Sequence, residues 1–198
     1  MRSTDAAPPL RVESHRLVVR AWETADADEL DEAIAESSAE LARWLPWALS
    51  PQAEPRTELL GRFRRAFDSG HDFSYGLFSH GGVCLGGAGL HPRVGPDAFE
   101  IGYWIRTSRA GQGLATETAA VLTRVGLERC GAARMVIKVE PENAPSLRVA
   151  RKLGYRELGL FPAHLDPLVP GGERRDAIVF ELAAEELPGS PCAAVTYA

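Results

Sequence analysis

The sequence has few cysteines, and no run of apolar residues long enough to cross a membrane. Its 198 residues include three cysteines, Cys84, Cys130 and Cys192, which form no CxxC pair, and five histidines without metal-ligand spacing. No window approaches the roughly 20 apolar residues of a membrane helix, and the opening "MRSTDAAPPL" lacks the apolar core of a signal peptide. We therefore expect a cytoplasmic protein with free thiols, no metal site and no membrane partner.

An excess of positive charge is also missing. The chain carries 22 basic and 27 acidic residues, a formal charge of -5 at pH 7. Nothing in this balance attracts nucleic acid or an anionic membrane, whereas a cationic partner such as an amine fits it. The length and the 45% hydrophobic content suit one core. We predict a single domain over residues 11–187, a flexible N-terminus over 1–10 and a flexible C-terminal tail over 188–198.

Two familiar nucleotide fingerprints fail in the stretch "IRTSRAGQGLATETAAVL" at residues 105–122. A P-loop needs Gly-Lys-Ser/Thr at its end, and a dinucleotide fingerprint needs a third glycine where Thr116 stands. The stretch does have Gly111 and Gly113 at the start of a predicted helix. Backbone N–H groups without an intrahelical partner can bind phosphate there, and the Gln112 side chain would add a donor. A plain turn between strand and helix is the alternative from these residues alone.

Hydrophobic periodicity predicts a mixed α/β domain with the order β-α-α-β-β-β-α-β-α-β-β. "LARWLPWALSP" is predicted as a hydrophobic loop between the first two helices. The strand "FEIGYWIR" alternates strictly, so Phe99, Ile101, Tyr103 and Ile105 share one face, and Glu100, Gly102, Trp104 and Arg106 the other. Gly102 inside a strand indicates a bulge or a close approach of another backbone, or it is a glycine covered by a bulky neighbouring side chain such as Trp104.

Four segments in order, "RWLPWA", "EIGYWI", "GQGLATE" and "NAPSLRVARKLGY", resemble the GNAT superfamily of acetyl-coenzyme A dependent acyltransferases, and more narrowly the RimJ/RimL-type N-terminal acetyltransferases. The resemblance implies a central mixed, mostly antiparallel twisted sheet of about seven strands flanked by about four helices, with acetyl-CoA as cosubstrate. Ala110 stands where the family's pyrophosphate loop has Gln or Arg. The implied coenzyme contacts are Trp104, Ile105, Arg106, Gly111, Gln112, Gly113, Leu114, Ala115, Thr116, Asn143 and Ser146.

The candidate catalytic groups come partly from chemistry and partly from the same resemblance. Glu100 is the candidate general base, acting through a water, and a pKa raised by burial would improve its match to an α-amine; a solvated glutamate at the strand end is the alternative. Ala150 stands where many members have the tyrosine that protonates the leaving thiolate, so Ser146 is the expected donor and Tyr155 a second candidate. Asn143 is expected to hold the pantetheine amide or an adjoining water, and to cap the following helix as well.

The acceptor is less well defined. The family places the loop after the first helix over the acceptor, so Trp44, Leu45, Pro46 and Trp47 line the groove or, alternatively, plug the helix pair. Asp72, Glu100 and Asp176 are acidic residues that could meet a cationic substrate. The predicted reaction is acetyl transfer to a protein N-terminal α-amine. A small-molecule amine and a non-catalytic coenzyme A sensor are the alternatives, and a homodimer through "DAIVFEL" as an edge strand is possible.

Overall fold

The computed structural model describes residues 7–49 and 54–198 of the chain. Residues 1–6 of the predicted N-terminal segment, and the end of the predicted hydrophobic loop, lie outside the described residues. Within the described ranges, no helix is both long and apolar enough to cross a bilayer. The same ranges contain no cluster of three or more His, Cys, Asp or Glu side chains that could hold a metal ion.

An eight-stranded sheet in the spatial order β1-β2-β3-β4-β5-β6-β8-β7 forms the centre of the domain. Every pairing is antiparallel except that of β5 with β6. This confirms the mixed, mostly antiparallel sheet, with one strand more than the order read from the sequence. The strands are β1 (Arg11–Glu13), β2 (Val18–Ala21), β3 (Phe73–Phe78), β4 (Cys84–His91), β5 (Ala98–Ile105), β6 (Arg134–Val139), β7 (Arg156–Leu165) and β8 (Arg175–Ala183).

The extra strand and the strand order at the far edge correct two expectations. Strand β1 has three residues, too few for an alternation signal in the sequence. The segment "DAIVFEL" belongs to β8, which lies between β6 and β7 and so is not an edge strand. Strand β7 forms that edge instead, because the β7–β8 hairpin folds back outward from β6.

Helices cover both faces of the sheet. They are α1 (Ala27–Leu41), α2 (Pro46–Leu49), α3 (Arg56–Asp68), α4 (Leu114–Arg124) and α5 (Ala144–Lys152). Buried residues of α1 and α3 pack with Trp104 on one side, called here the α1/α3 face. Phe99, Ile101, Tyr103 and Ile105 pack with α4 and α5 on the other. The predicted alternation along β5 is therefore confirmed, and the single helical turn α2 occupies part of the predicted loop.

The C-terminal residues, for which the sequence predicts a flexible tail, lie against the domain. After the Pro-Gly break the chain turns back, and the Cys192 side chain is fully buried in the main core. Ser190 donates a 2.6 Å hydrogen bond to the carbonyl of Leu153, and Glu13 and Ala198 exchange two backbone hydrogen bonds of 3.0 and 2.9 Å. Burial of apolar surface and pairing with β1 hold this segment in place.

Candidate active site

Strands β5 and β6 diverge in the middle of the sheet. Their parallel pairing covers only Ala98, Phe99 and Glu100 of β5, although β5 continues to Ile105 and β6 to Val139. Between residues 101–105 of β5 and residues 137–139 of β6 there is no pairing, and this gap is called the wedge. Unpaired strand edges accept an extended chain that pairs like an added strand. The wedge therefore suits a long, amide-containing ligand arm.

A loop with free amides lies beyond the wide end of the wedge, at the start of α4. Gly111 has a φ of 75° and Gly113 a φ of 80°, values that favour glycine. The first helical bond runs from Glu117 N to Gly113 O at 3.1 Å. Within the described part of the chain, the amides of residues 111–116 have no acceptor. Six unpaired donors at a helix N-terminus suit an anion such as a phosphate.

Arg16, on the turn between β1 and β2, holds this loop from outside. Its guanidinium donates to the Gln112 carbonyl at 2.7 Å and pairs with Glu117, also at 2.7 Å. Burial favours a higher pKa for Glu117, but hydrogen bonds from Ser14 and Arg16 outweigh it and the pKa is lowered. Arg16 thus brings positive charge to a loop in which Ala110 supplies none. Sequence reasoning missed it because Arg16 and Glu117 are 101 residues apart.

The side chain of Arg106 points to helix α1, so the expected coenzyme contact of this residue stays a prediction. It pairs with Glu36 at 2.5 Å and Glu32 at 2.6 Å, both on α1. Glu36 also accepts from the amide of Ser108 at 2.9 Å. The Ser108 side chain, then Arg106 and then the Ser108 amide lower the pKa of Glu36 to about 2. The charge of Arg106 therefore anchors the loop on α1, while its backbone amide donates to Leu85 O and its carbonyl accepts from the Arg109 amide, both at 2.8 Å.

Tyr103, Ser146 and Asn143 lie on the α4/α5 side of the wedge. Asn143 Oδ1 accepts from the Ser146 amide at 3.2 Å, which confirms the predicted helix cap. The Tyr103 hydroxyl is buried and has no hydrogen-bond partner in the described residues. Burial raises the pKa of Tyr103 to about 12, and Ser146, which is close enough to interact but is not placed for a well-formed hydrogen bond, acts in the opposite direction. A buried hydroxyl without a partner suits a polar ligand beside it, and coenzyme A, with phosphates at one end and an amide-rich arm, fits both regions.

Tyr155 does not have a free hydroxyl. It shares a 2.6 Å hydrogen bond with Thr123 inside the core, and Thr123 in turn donates to the Ala119 carbonyl at 2.6 Å. The whole side chain is buried, and this raises its pKa. Tyr155 therefore stabilises the contact between α4 and the end of α5, and its hydroxyl is already engaged there.

Glu100 is buried on the α1/α3 face, at the narrow end of the wedge. One carboxylate oxygen lies 2.6 Å from Arg93 Nη2 and the other 3.0 Å from Lys138 Nζ. Burial favours a higher pKa, but the two cations outweigh it and the pKa of Glu100 is lowered. The raised pKa that would have suited a base is therefore not what the structure gives Glu100, and the sequence does not show the two partners responsible. The role of Glu100 as base stays a prediction.

Gly102 lies beneath an imidazole, not beneath Trp104. A Cβ atom at Gly102 would come within 3.3 Å of His91 Nε2, and one at Gly87 within 2.6 Å of Trp104 Nε1. His91 Nδ1 in turn lies 2.6 Å from Asp72 Oδ1. Of the alternatives for Gly102, a place beneath a bulky side chain is the one that the structure supports, with His91 rather than Trp104 above it. Sequence reasoning did not consider His91.

The predicted acceptor loop forms a wall on the same face. Trp47 is 39% exposed, and its ring centre lies 6.1 Å from that of Trp104. Trp44 Nε1 donates to Glu40 at 3.2 Å, and the Trp44 carbonyl accepts from Arg175 at 3.3 Å. Leu45 is half-buried behind them. The wall is thus partly open, and only Trp47 of these three side chains contacts the indole of β5.

Arg175 and the residue after it on β8 have separate roles. Arg175 also pairs with Glu140 at the end of β6. Burial raises the pKa of Glu140, and Arg175 offsets part of that effect. Asp176 instead accepts from the amide of Ala163 at 2.9 Å, within the β7–β8 hairpin. The structure therefore gathers Glu100, Asp72 and Glu140 on the α1/α3 face and does not bring Asp176 to them.

Comparisons with known proteins agree with this geometry. Residues 16–156 match the family model described as "Acetyltransferase (GNAT) domain". A Bacillus subtilis (strain 168) protein named as a ribosomal N-acetyltransferase, YdaF, is 28% identical over 183 residues, 90% of this chain and 97% of its own. A Vibrio cholerae structure described as a ribosomal-protein-serine acetyltransferase is 25% identical, with a TM-score of 0.75 and coverage of 89% and 99%.

A third relative with the same fold was solved in complex with a coenzyme A derivative. Mycobacterium smegmatis RimJ, solved with a CoA-disulfide, has a TM-score of 0.77 and 24% identity, covering 98% of this chain and 95% of its own. The family match spans the wedge, the loop of free amides and helix α5, the regions to which the geometry assigns the coenzyme. The chain therefore belongs to the GNAT acetyltransferase family and is an acetyl-CoA-dependent N-acetyltransferase.

Proposed function

We propose that the acceptor is the α-amine of a protein N-terminus. The observation that carries this proposal is the charge balance of the α1/α3 face near the wedge. Each carboxylate there already has a cationic or imidazole partner, in the pairs Asp72–His91, Glu100–Arg93, Glu100–Lys138 and Glu140–Arg175. A polyamine is attracted by unpaired acidic groups, and this face offers none among these residues. A single ammonium on an otherwise neutral chain fits the balance better.

The wall and the relatives support the same acceptor. Trp47 and Trp104 present aromatic surface where the first side chains of a peptide would lie. The Bacillus subtilis and Vibrio cholerae relatives are named for acetylation of ribosomal proteins. A small-molecule amine would contact less of this wall and would leave the exposed indole of Trp47 without a contact.

An acceptor screen tests this proposal. We expect acetyl-CoA and short peptides with a free N-terminus to release coenzyme A thiol, with mass spectrometry placing the acetyl group on the α-amine. The matched control is the same peptide with a blocked N-terminus and an internal lysine, which should release none. A higher kcat/KM for spermidine or another small amine than for every peptide would contradict the proposal.

We also propose Ser146 as the proton donor to the departing thiolate, whose pKa of roughly 8.5 makes a nearby donor useful. The position of Ser146 supports this role, because its side chain lies beside the buried Tyr103 hydroxyl at the wedge. Ser146→Ala is expected to lower kcat about 10- to 100-fold. Coenzyme affinity should hold, because the helix cap uses the backbone amide of residue 146, which alanine keeps.

Steady-state kinetics and calorimetric titration with coenzyme A measure these two quantities. Ser38→Ala, an exposed serine on α1, is the matched control and should change neither. Unchanged kcat in Ser146→Ala would remove Ser146 from the mechanism.

Two further proposals concern the setting of the reaction. A cytosolic location is supported by the three cysteines, which are free and buried. Self-association would use the β7 edge, where Leu158, Leu160 and Phe161 are exposed. Cell fractionation tests the location, and finding the protein in the periplasm would contradict it. Light scattering after size exclusion tests self-association, and a monomer would contradict it.

A further inference from the structure

His91 is the one histidine that the fold builds into the active-site face. All five histidines lie in the described residues, and the other four are exposed. The His91 side chain is 19% exposed, and its Nδ1 lies 2.6 Å from Asp72 Oδ1. It ends strand β4 directly opposite Glu100 in the sheet register. The imidazole is therefore fixed at one nitrogen and close to the point where β5 and β6 diverge.

Two glycines make room for this ring. A Cβ at Gly89 would lie 2.6 Å from both Cε1 and Nε2 of His91, and one at Gly102 would lie 3.3 Å from Nε2. The imidazole thus lies flat across β4 and β5, with Nε2 over Gly102. Gly102 is two residues beyond Glu100, the last β5 residue paired with β6. The free ring nitrogen therefore sits at the narrow end of the wedge, on the face that carries the acceptor wall.

The hydrogen bond to Asp72 determines which nitrogen is the base. A carboxylate accepts the Nδ1 proton, so neutral His91 keeps its lone pair on Nε2. We propose that His91 Nε2 is the general base that takes the proton from the acceptor ammonium, and that Asp72 is the positioning residue that orients the ring. Glu100, held by Arg93 and Lys138, is already occupied as an ion-pair partner. The inference rests on amine acetylation and not on which amine is the acceptor.

The proton balance closes without another reactant. His91 Nε2 removes one proton from the ammonium, and the neutral nitrogen attacks the thioester carbonyl carbon. A C–N bond forms and the C–S bond breaks, with the electron pair leaving on sulfur. The second amine proton ends on the thiolate, through the donor on the opposite side of the wedge. The proton on His91 returns to solvent, giving an amide, a thiol and one released proton.

The charged groups that face His91 are Asp72 before β3, Glu100 on β5, and, through Glu100, Arg93 beyond β4 and Lys138 on β6. Arg93 also faces Asp72 itself and the exposed Asp166. A free α-amine has a pKa of about 7.7–8.0. Above that pH the acceptor amine is already neutral and needs no base. A catalytic role of His91 therefore predicts a pH-dependent loss of rate in its variants, whereas a structural role predicts the same loss at every pH.

His91→Ala tests the inference, with the exposed His71→Ala as the matched control. We expect kcat at pH 7 to fall at least about 100-fold in His91→Ala and to stay unchanged in His71→Ala. Affinity for coenzyme A should hold in both. The deficit should shrink as the pH rises above about 8, where the amine is neutral. Added imidazole should restore part of the rate, because the space over Gly89 and Gly102 is then empty.

Asp72→Asn and His91→Gln extend the test if the alanine variant does not fold. Asp72→Asn should lower kcat less than His91→Gln, with little change in KM, because the base remains but is less well oriented. A kcat within threefold of wild type in both His91 variants overturns the inference, and so does a deficit that is independent of pH. If peptides are not acetylated but a small amine is, and His91→Ala still loses that activity, the acceptor proposal fails and this inference stands.

Discussion

Gly111→Val is expected to weaken coenzyme A binding by about 100-fold, the equivalent of losing roughly two hydrogen bonds to a charged group. Gly111 has a φ of 75° that valine adopts only under strain. The chain can relieve that strain only by rotating the amides of residues 111–116 away from their common direction. Calorimetric titration with coenzyme A measures the loss, and thermal unfolding measures the cost to the fold.

Gly70→Val is the matched control for this substitution. Gly70 has a φ of 73°, and a Cβ there, as at Gly111, would meet nothing within 4 Å. The two substitutions should therefore cost the fold a similar amount, about 1–2 kcal/mol. Only the one at Gly111 should affect the coenzyme. Equal affinities in the two variants would refute phosphate binding by this loop, since backbone strain alone would then account for both.

Glu100→Gln is expected to lower the free energy of unfolding at pH 7 by about 3 kcal/mol. The substitution leaves Lys138, whose side chain is 15% exposed, without its anionic partner. The folded-state pKa of Glu100 lies below its ordinary value of 4.5. Its contribution is therefore complete above pH 4.5 and is lost as the pH falls through the folded value. The difference between wild type and variant should narrow over that acidic range.

Urea unfolding at several pH values measures this effect, and steady-state kinetics tests the chemistry in the same variant. Because His91 is the proposed base, kcat should stay within about tenfold of wild type. Glu157→Gln is the control, since its ion pair with Arg151 is exposed and worth at most about 1 kcal/mol. A loss of kcat comparable to that of His91→Ala would instead support Glu100 as the base.

Short-range patterns predicted the fold and the local geometry of the loop and helix cap beside the wedge. The strict alternation of β5 gave its two faces, and Asn143 three residues before Ser146 gave the helix cap. The glycines at 111 and 113 marked the loop, where both take positive φ. Strand β1 and helix α2 were missed because three or four residues carry too little periodicity.

Long-range partners explain what sequence reasoning could not reach. Arg16 and Glu117 are 101 residues apart, and Arg106 and Glu36 are 70 apart. Nothing local to Arg106 indicates that its side chain pairs with two glutamates of α1. The edge of the sheet was also misplaced, because strand order depends on which hairpin folds outward and not on the apolar content of β8.

The sequence by itself determined the family, the position of the glycine loop before α4 and the pair of faces along β5, because each depends on residues within a few positions of one another. Only the tertiary structure decided which partners surround the candidate proton-transfer groups. Glu100 became an ion-pair partner because Arg93 and Lys138 converge on it, and His91 was brought to the wedge because Asp72, 19 residues earlier, holds its ring over two glycines. Charge and proton transfer depend on distances of a few ångströms, which folding sets between residues far apart in the chain.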